Sequence, residues 1–172
     1  MFYIKVLRYM RDDNLMLRPL RFFDGPFISN GLKDEGALKS NGLSKPVDSS
    51  WFFVWWWIKK TYSCSFCIEL DSRPIGFIGL YNLIPGNSAE ISLVIFDKSL
   101  RGQGYGTRTF KLLAQSLQRH SVVREIWAGV TTDNHSALSF WKKLGFVEIN
   151  TLDDINSMSV DLNSYRERYK NE

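Results

Sequence analysis

The chain has 172 residues, of which 44% are apolar and 23% are charged, and its formal net charge is +4. These values fit one ordinary globular domain and exclude a fibrous or disordered class, so we predict a single domain over residues 1–172. The positive charge favours anionic partners, but the basic residues are scattered and form no nucleic-acid-binding module. No nucleic acid partner is therefore expected.

Membrane and secretion signals are the next features to consider. The sequence contains no run of about 18 uncharged apolar residues. Its N-terminal stretch, MFYIKVLRYMRDDN, carries charges throughout instead of the apolar core of a signal peptide. We predict a cytoplasmic protein with no membrane partner.

The N-terminal half contains one predicted strand and one predicted helix. Residues 15–22, LMLRPLRF, alternate apolar and polar side chains and predict a first strand. Residues 24–50 are rich in turn-forming residues and favour loops and short helical turns. Residues 49–60, SSWFFVWWWIKK, predict a helix capped by Ser49 or Ser50. Aromatic side chains cover nearly every side of this helix, so we expect some of them to contact an acceptor, a covering loop or a second copy in a homodimer.

Three further strands follow, with turn residues between them. Residues 63–70, 75–83 and 89–96 predict an antiparallel meander. Cys64 and Cys67 form a C-x-x-C pair in the first of these strands, where residues three apart point to opposite faces. We therefore expect ordinary thiols and no metal site.

The C-terminal half alternates helices and strands. A helix beginning near Thr107 is predicted by the i, i+3, i+4, i+7 spacing of Phe110, Leu113, Ala114 and Leu117. Residues 124–132 predict a strand. A second helix runs from a cap at Asn134 to a terminating Gly145, with an apolar stripe at Ala137, Phe140, Trp141 and Leu144. Residues 146–151 and 156–162 predict two closing strands.

The segment RGQGYG, residues 101–106, lies between a predicted strand and a predicted helix. It lacks the lysine of a Walker loop and the third glycine of a Rossmann loop. Glycines still let backbone N–H groups close on an anion, the helix start adds about half a positive charge, and Arg101 adds a full one. We predict a diphosphate ligand, and we expect a Cβ at Gly104 or Gly106 to occupy the space of its phosphates. The alternative is a glycine-rich helix start with no ligand.

The spacing R-x-x-G-x-G, at Arg101, Gly104 and Gly106, resembles the pyrophosphate loop of the GNAT superfamily of N-acetyltransferases. AEISLVIF before the loop and DNHSALSFWKKLGF after it resemble two further signatures of this superfamily, in the same order. The resemblance covers about residues 15–162 and leans toward the ribosomal-protein N-terminal and spermidine acetyltransferases. It implies an α/β fold with a mixed, mostly antiparallel sheet of six to seven strands and helices on both faces.

The resemblance also implies acetyl-CoA as co-substrate and a set of residues that bind it. Backbone contacts with its pantetheine arm are expected at the end of the fourth superfamily strand. For Asn134, which would contact the coenzyme, the alternative is a role as a helix cap only. The implied cofactor-binding residues are Val94, Ile95, Phe96, Arg101, Gly102, Gly104, Gly106, Thr107 and Asn134.

The implied reaction is attack of a neutral amine on a thioester, with backbone N–H groups as oxyanion donors. A base is useful because amines are largely protonated at neutral pH. Glu90, on the strand before the loop, is the candidate catalytic residue, and a solvent-facing strand carboxylate is its alternative role. His120 and His135 are weaker candidates.

Trp141 stands where many superfamily members have a tyrosine acid, and an indole N–H cannot supply that proton. The thiolate can leave unassisted, because a thiol has a pKa of only about 8.5. We expect Trp141 to pack near the thioester or simply in the core. The prediction is an N-acetyltransferase for a small-molecule or peptide amine. A CoA-binding module without turnover and a nucleotide-binding protein of another fold are its alternatives.

Overall fold

The computed structural model describes residues 6–33, 64–84, 86–120 and 123–168. An eight-stranded sheet in the order β1-β2-β3-β4-β5-β6-β8-β7 spans these residues. Its strands are β1 Met10–Asp12, β2 Leu15–Pro19, β3 Cys64–Leu70, β4 Arg73–Ile84, β5 Ser88–Ile95, β6 Glu125–Thr131, β7 Val147–Leu152 and β8 Ile155–Asp161. All neighbours are antiparallel except β5 and β6. The predicted mixed, mostly antiparallel sheet is confirmed.

Four α-helices accompany the sheet in the described residues: α1 Gly25–Gly31, α2 Tyr105–His120, α3 His135–Lys143 and α4 Leu162–Arg168. The helix predicted from Thr107 begins two residues earlier, because the Gly104 carbonyl already accepts a helical hydrogen bond from the Arg108 N–H at 3.0 Å. The aromatic helix predicted at residues 49–60 lies outside the described residues.

One departure from the predicted strands has a simple cause. The sheet has eight strands instead of six to seven, because the three-residue strand β1 is too short to show an alternating pattern. The predicted meander of β3, β4 and β5 is confirmed. Its first turn places Asp71 and Ser72 in the left-handed region, with φ of 49° and 65°, as a two-residue hairpin requires.

Helices cover both faces of the sheet. On one face, α2, α3 and α4 bury the main core, which includes Phe110, Leu113, Ala114 and Leu117 as predicted. On the other, α1 packs Ile28 against a smaller cluster that contains Cys67, while Cys64 packs on the main core. The two thiols therefore point to opposite faces, and burial raises the pKa of each to about 12.

A buried ionic cluster anchors the segment before α1 to the sheet. Arg18 on β2 donates from Nε to Glu69 Oε1 on β3 at 2.6 Å, and its two terminal nitrogens bind Asp24 at 2.6 and 2.8 Å. Burial alone would raise the pKa of the Asp24 carboxyl, but hydrogen bonds from Arg18 and from the Arg21 backbone outweigh burial and lower it. All three charged side chains of the cluster are less than 10% exposed, so removing one leaves the others buried and uncompensated.

Candidate active site

The only parallel pair in the described sheet opens into a cleft. β5 and β6 are in register at Ser88, Ala89 and Glu90 only, although β5 continues to Ile95 and β6 to Thr131. Beyond these pairs each strand keeps only its other neighbour, β4 or β8. The strands therefore diverge and leave an opening of about 520 Å³, walled by residues 91–95, the glycine loop, the start of α2, the end of β6 and α3.

The glycine loop lies at the mouth of this cleft. Gly102 and Gly104 have φ of +77° and +87°, and a Cβ added to either would have no atom within 4 Å. Both positions need glycine for their backbone conformation, and both leave open space beside the first turn of α2. The N–H groups of that turn have no helical acceptor and carry the positive end of the helix dipole, so they suit an anion.

Gly106 packs closely against α3. It lines the cleft, and a Cβ added there would lie 3.1 Å from Cε2 of Phe140, which also lines the cleft. The missing side chain therefore lets α2 approach α3 closely, and the expected space for phosphates at this position stays a prediction. A valine at this position would disturb packing as well as any ligand.

Arg101 joins the loop to the end of β5. Its Nε donates to the Ile95 carbonyl at 2.8 Å and its Nη2 to the Phe96 carbonyl at 3.4 Å. Arg101 also lines the cleft. Arg101 thus fixes the loop against the strand and places a full positive charge at the mouth of the opening.

The α3 wall contributes polar side chains. Asn134 Oδ1 accepts from the Ala137 N–H at 3.1 Å, which confirms the predicted cap, and Asn134 also lines the cleft.

At the end of β6, Thr131 has a buried hydroxyl with no hydrogen-bond partner among the described residues. Such an orphaned group next to an opening suits the amide groups of an extended ligand.

The structure gathers nearly all the predicted cofactor residues around this cleft. Val94, Ile95, Arg101, Gly102, Gly104, Gly106, Thr107 and Asn134 line it. Phe96 does not. Its ring packs edge-on against Phe27, with ring centroids 5.3 Å apart, and its N–H donates to the Ile75 carbonyl. Five polar lining residues were not predicted: Ser92, Thr131, Ser136, Ser139 and Lys143. Ser92 could have been found, because it shares the alternating face of Glu90 on one strand.

Glu90 lies at the point where β5 and β6 separate. It is half-buried, pairs in register with Tyr81 on β4 and Trp127 on β6, and immediately precedes the first cleft residue of β5. Its Oε2 accepts a hydrogen bond from Asn82 Nδ2 at 2.6 Å. Its Oε1 lies 3.8 Å from where a Cβ of Gly129 would stand, and Gly129 lines the cleft. Gly129 therefore leaves a gap between the carboxylate and the opening.

Tyr81 is the phenol nearest to this carboxylate in the sheet register. Burial and the negative charge of Glu90 raise the pKa of Tyr81, against the effect of a hydrogen bond with Ser92. The phenol therefore stays protonated at neutral pH, and it is a poor proton donor to a departing thiolate.

Of the remaining candidate residues, Trp141 lines the cleft and the two histidines do not. Trp141 lines the cleft and also belongs to the core, with ring centroids 4.7 Å from Phe146 and 5.9 Å from Phe110. His120 is exposed at the last residue of α2, and His135 lies in a shallow depression on α3 outside the main cleft. Neither histidine is placed to act on a ligand in the cleft.

The described residues contain neither a metal-binding cluster nor a membrane-spanning helix. Among these residues, no three His, Cys, Asp or Glu side chains are grouped so that they could hold a metal ion. No helix in the same ranges is both long enough and apolar enough to cross a membrane.

A mixed sheet that opens at its parallel pair, beside a glycine-rich helix start, agrees with the GNAT fold that the sequence resemblance implies. The family model described as Acetyltransferase (GNAT) family matches residues 35–146, and the chain belongs to this family. The fold and the family predicted from the sequence are confirmed, and proteins of this family use acetyl-CoA.

Two relatives are similar to this chain in sequence. An uncharacterized N-acetyltransferase of Methanocaldococcus jannaschii is 32% identical over 104 residues, which cover 57% of this chain and 45% of that protein, so the chain spans about half the length of this relative. An N-alpha-acetyltransferase of Sulfurisphaera tokodaii is 24% identical over 126 residues, covering 67% and 75%.

The structural likenesses concern the fold. Spermidine N-acetyltransferase from Vibrio cholerae, solved with CoA and spermine, has a TM-score of 0.75 at 19% identity, covering 90% of this chain and 99% of that one. The ribosomal L7/L12 alpha-N-protein acetyltransferase RimL has a TM-score of 0.75 at 16% identity, covering 89% and 93%.

Proposed function

We propose that this protein transfers the acetyl group of acetyl-CoA directly to a primary amine, with the coenzyme in the cleft beside β5 and with Glu90 as the base. The separation of β5 from β6 after Glu90 carries this proposal. It leaves one edge of β5 without a strand partner, next to a helix start suited to a diphosphate.

The cleft fits coenzyme A on two observations. Along residues 91–95, the side of β5 that faces the opening has no neighbouring strand, so an extended ligand with amide groups can add to it as a further strand would. At the mouth of the cleft, Gly104 with the first turn of α2 and Arg101 provide N–H groups and positive charge for a diphosphate. When bound, acetyl-CoA supplies a thioester that an uncharged amine can attack.

Glu90 accepts the proton of the acceptor amine. A lysine-like amine has a pKa of about 10.4 and a chain N-terminus one of roughly 7.7–8.0, so most of the acceptor arrives charged. A carboxylate beside the gap at Gly129 can accept the proton directly or through one water. Nothing in this route requires Trp141 as an acid.

Direct transfer is supported over an acyl-enzyme by the position of the cysteines. Neither Cys64 nor Cys67 lines the cleft, and burial raises both thiol pKa values to about 12. A thiol of that pKa is not the thiolate that a covalent route needs at neutral pH.

The acceptor class is tested by a panel of primary amines. Polyamines and peptides with a free N-terminus are the first choices, since the similar solved structures include a spermidine and a ribosomal-protein N-terminal acetyltransferase. We expect release of free CoA with at least one of these amines. Tight binding of acetyl-CoA without turnover on any amine would instead identify a CoA-binding module.

Gly104→Ala tests the anion site at the loop. An alanine here is strained at φ +87° and projects into open space, so we expect the Kd for acetyl-CoA to rise about tenfold or more while the fold is kept. Gly86→Ala is a matched control, because Gly86 has φ +73°, has no atom within 4 Å of an added Cβ and does not line the cleft. Isothermal titration that finds equal Kd values for the two variants would contradict the proposed loop site.

A further inference from the structure

The carboxylate of Glu90 is held by a neighbour on β4. Asn82 Nδ2 donates to Glu90 Oε2 at 2.6 Å, a short bond to a charged acceptor. We propose that Asn82 is a positioning residue that orients Glu90 for deprotonation of the acceptor. This inference rests on the proposed role of Glu90 as the base.

The contact exists only because the ladder between β4 and β5 is irregular. Tyr81 pairs with Glu90, and Ile84 pairs with Ser88. Between these two pairs, β4 therefore contains one residue more than β5. In a regular ladder Asn82 would pair with Ala89, and its side chain would point to the face opposite Glu90. A β-bulge can re-aim a side chain in this way.

Asn82 also has a left-handed backbone conformation, with φ of +48°. Glycine and asparagine adopt this conformation more readily than other residues do, so both fit the backbone of the bulge. Of the two, only asparagine can also donate a hydrogen bond to Glu90.

The two carboxylate oxygens of Glu90 have different surroundings. Oε2 accepts the Asn82 amide, and Oε1 lies on the side of Gly129, where the cleft begins. The amide thus fixes the plane of the carboxylate with one oxygen toward the opening.

Asn82→Gly removes the amide and keeps the backbone conformation, so it is the test variant. It is assayed with acetyl-CoA and the amine that turns over fastest in the panel. We expect an unchanged Kd for acetyl-CoA, an unchanged or higher Tm, and a kcat lower by up to about tenfold, because this hydrogen bond to a charged group is exposed and water can replace part of it.

Asp153→Gly is a matched control, since Asp153 has a similar φ of +47° and is exposed in the turn between β7 and β8. It should leave kcat unchanged. The loss from Asn82→Gly should also vanish in a Glu90→Gln background, because Asn82 acts only through Glu90.

The outcomes separate this inference from the proposed function. Wild-type kcat in Asn82→Gly, with Glu90→Gln impaired, would overturn the role of Asn82 alone. A loss that persists in the Glu90→Gln background would overturn it too, since Asn82 would then act by another route. An unimpaired Glu90→Gln variant, or a lack of turnover on every amine, would remove the proposed base and this inference with it.

Discussion

Glu90→Gln should lower kcat by about 10²–10⁴-fold, which is the usual contribution of a general base. The substitution keeps the shape of the side chain, and its amide oxygen can still accept from Asn82, so the site stays assembled. The Kd for acetyl-CoA should not change, because Glu90 does not line the cleft. Steady-state kinetics and calorimetry measure the two quantities separately.

The pH dependence distinguishes a base from a structural carboxylate. The loss should shrink as the pH rises toward the pKa of the amine, because solvent then supplies the free amine that Glu90 otherwise generates. Glu125→Gln on the neighbouring strand β6 is the matched control and should keep the wild-type rate. A Glu90→Gln variant with wild-type kcat at every pH would show that the amine arrives already neutral.

Arg18→Met should destabilise the fold by about 3–5 kcal/mol, because it leaves two buried carboxylates without a counter-charge. Asp24 and Glu69 are both less than 10% exposed and both bind Arg18 at 2.6 Å. Urea unfolding followed by tryptophan fluorescence measures the change. If the variant does not fold, Asp24→Asn at the same cluster gives a milder form of the test.

Lys142→Met is the matched control for this effect. Lys142 binds Glu148 at 2.9 Å, but the two side chains are 54% and 41% exposed, so solvent weakens the pair. We expect this control to cost about 1 kcal/mol or less. Equal losses from Arg18→Met and Lys142→Met would show that the buried cluster contributes no more than a surface pair.

The same cluster makes stability depend on pH in the acid range. The pKa of Asp24 is lower in the folded chain than its ordinary value, so its contribution is fully present above that ordinary value, about 3.9. The contribution is lost as the pH falls through the folded-state pKa. The free energy of unfolding of the wild type should therefore drop more between pH 7 and pH 3 than that of Asp24→Asn. Parallel drops in the two proteins would contradict this.

Much of the fold could be predicted from the sequence because its signals are local. The alternation of residues 75–83 and 89–96 reports a two-residue period, and the spacing of Phe110, Leu113 and Leu117 reports a helical one. Both periods are properties of the backbone itself. The cap at Asn134 and the glycines of the loop are also local signals, because each is determined by the backbone at the start of a single helix. Family signatures built from such elements, in order, were sufficient for the class of enzyme.

The tertiary structure decided what each of these residues faces. Gly106 proved to face Phe140 and Phe96 to face Phe27, because these contacts join elements far apart in the chain. The pairing of Asn82 with Glu90 depends on one extra residue in β4, which reverses the face of a side chain and leaves no local pattern. The opening of the cleft likewise depends on how many residues two strands pair before they part. Residue types and periods are written in the sequence, but register is set by the packing of the whole sheet, and register determines which groups meet at the site.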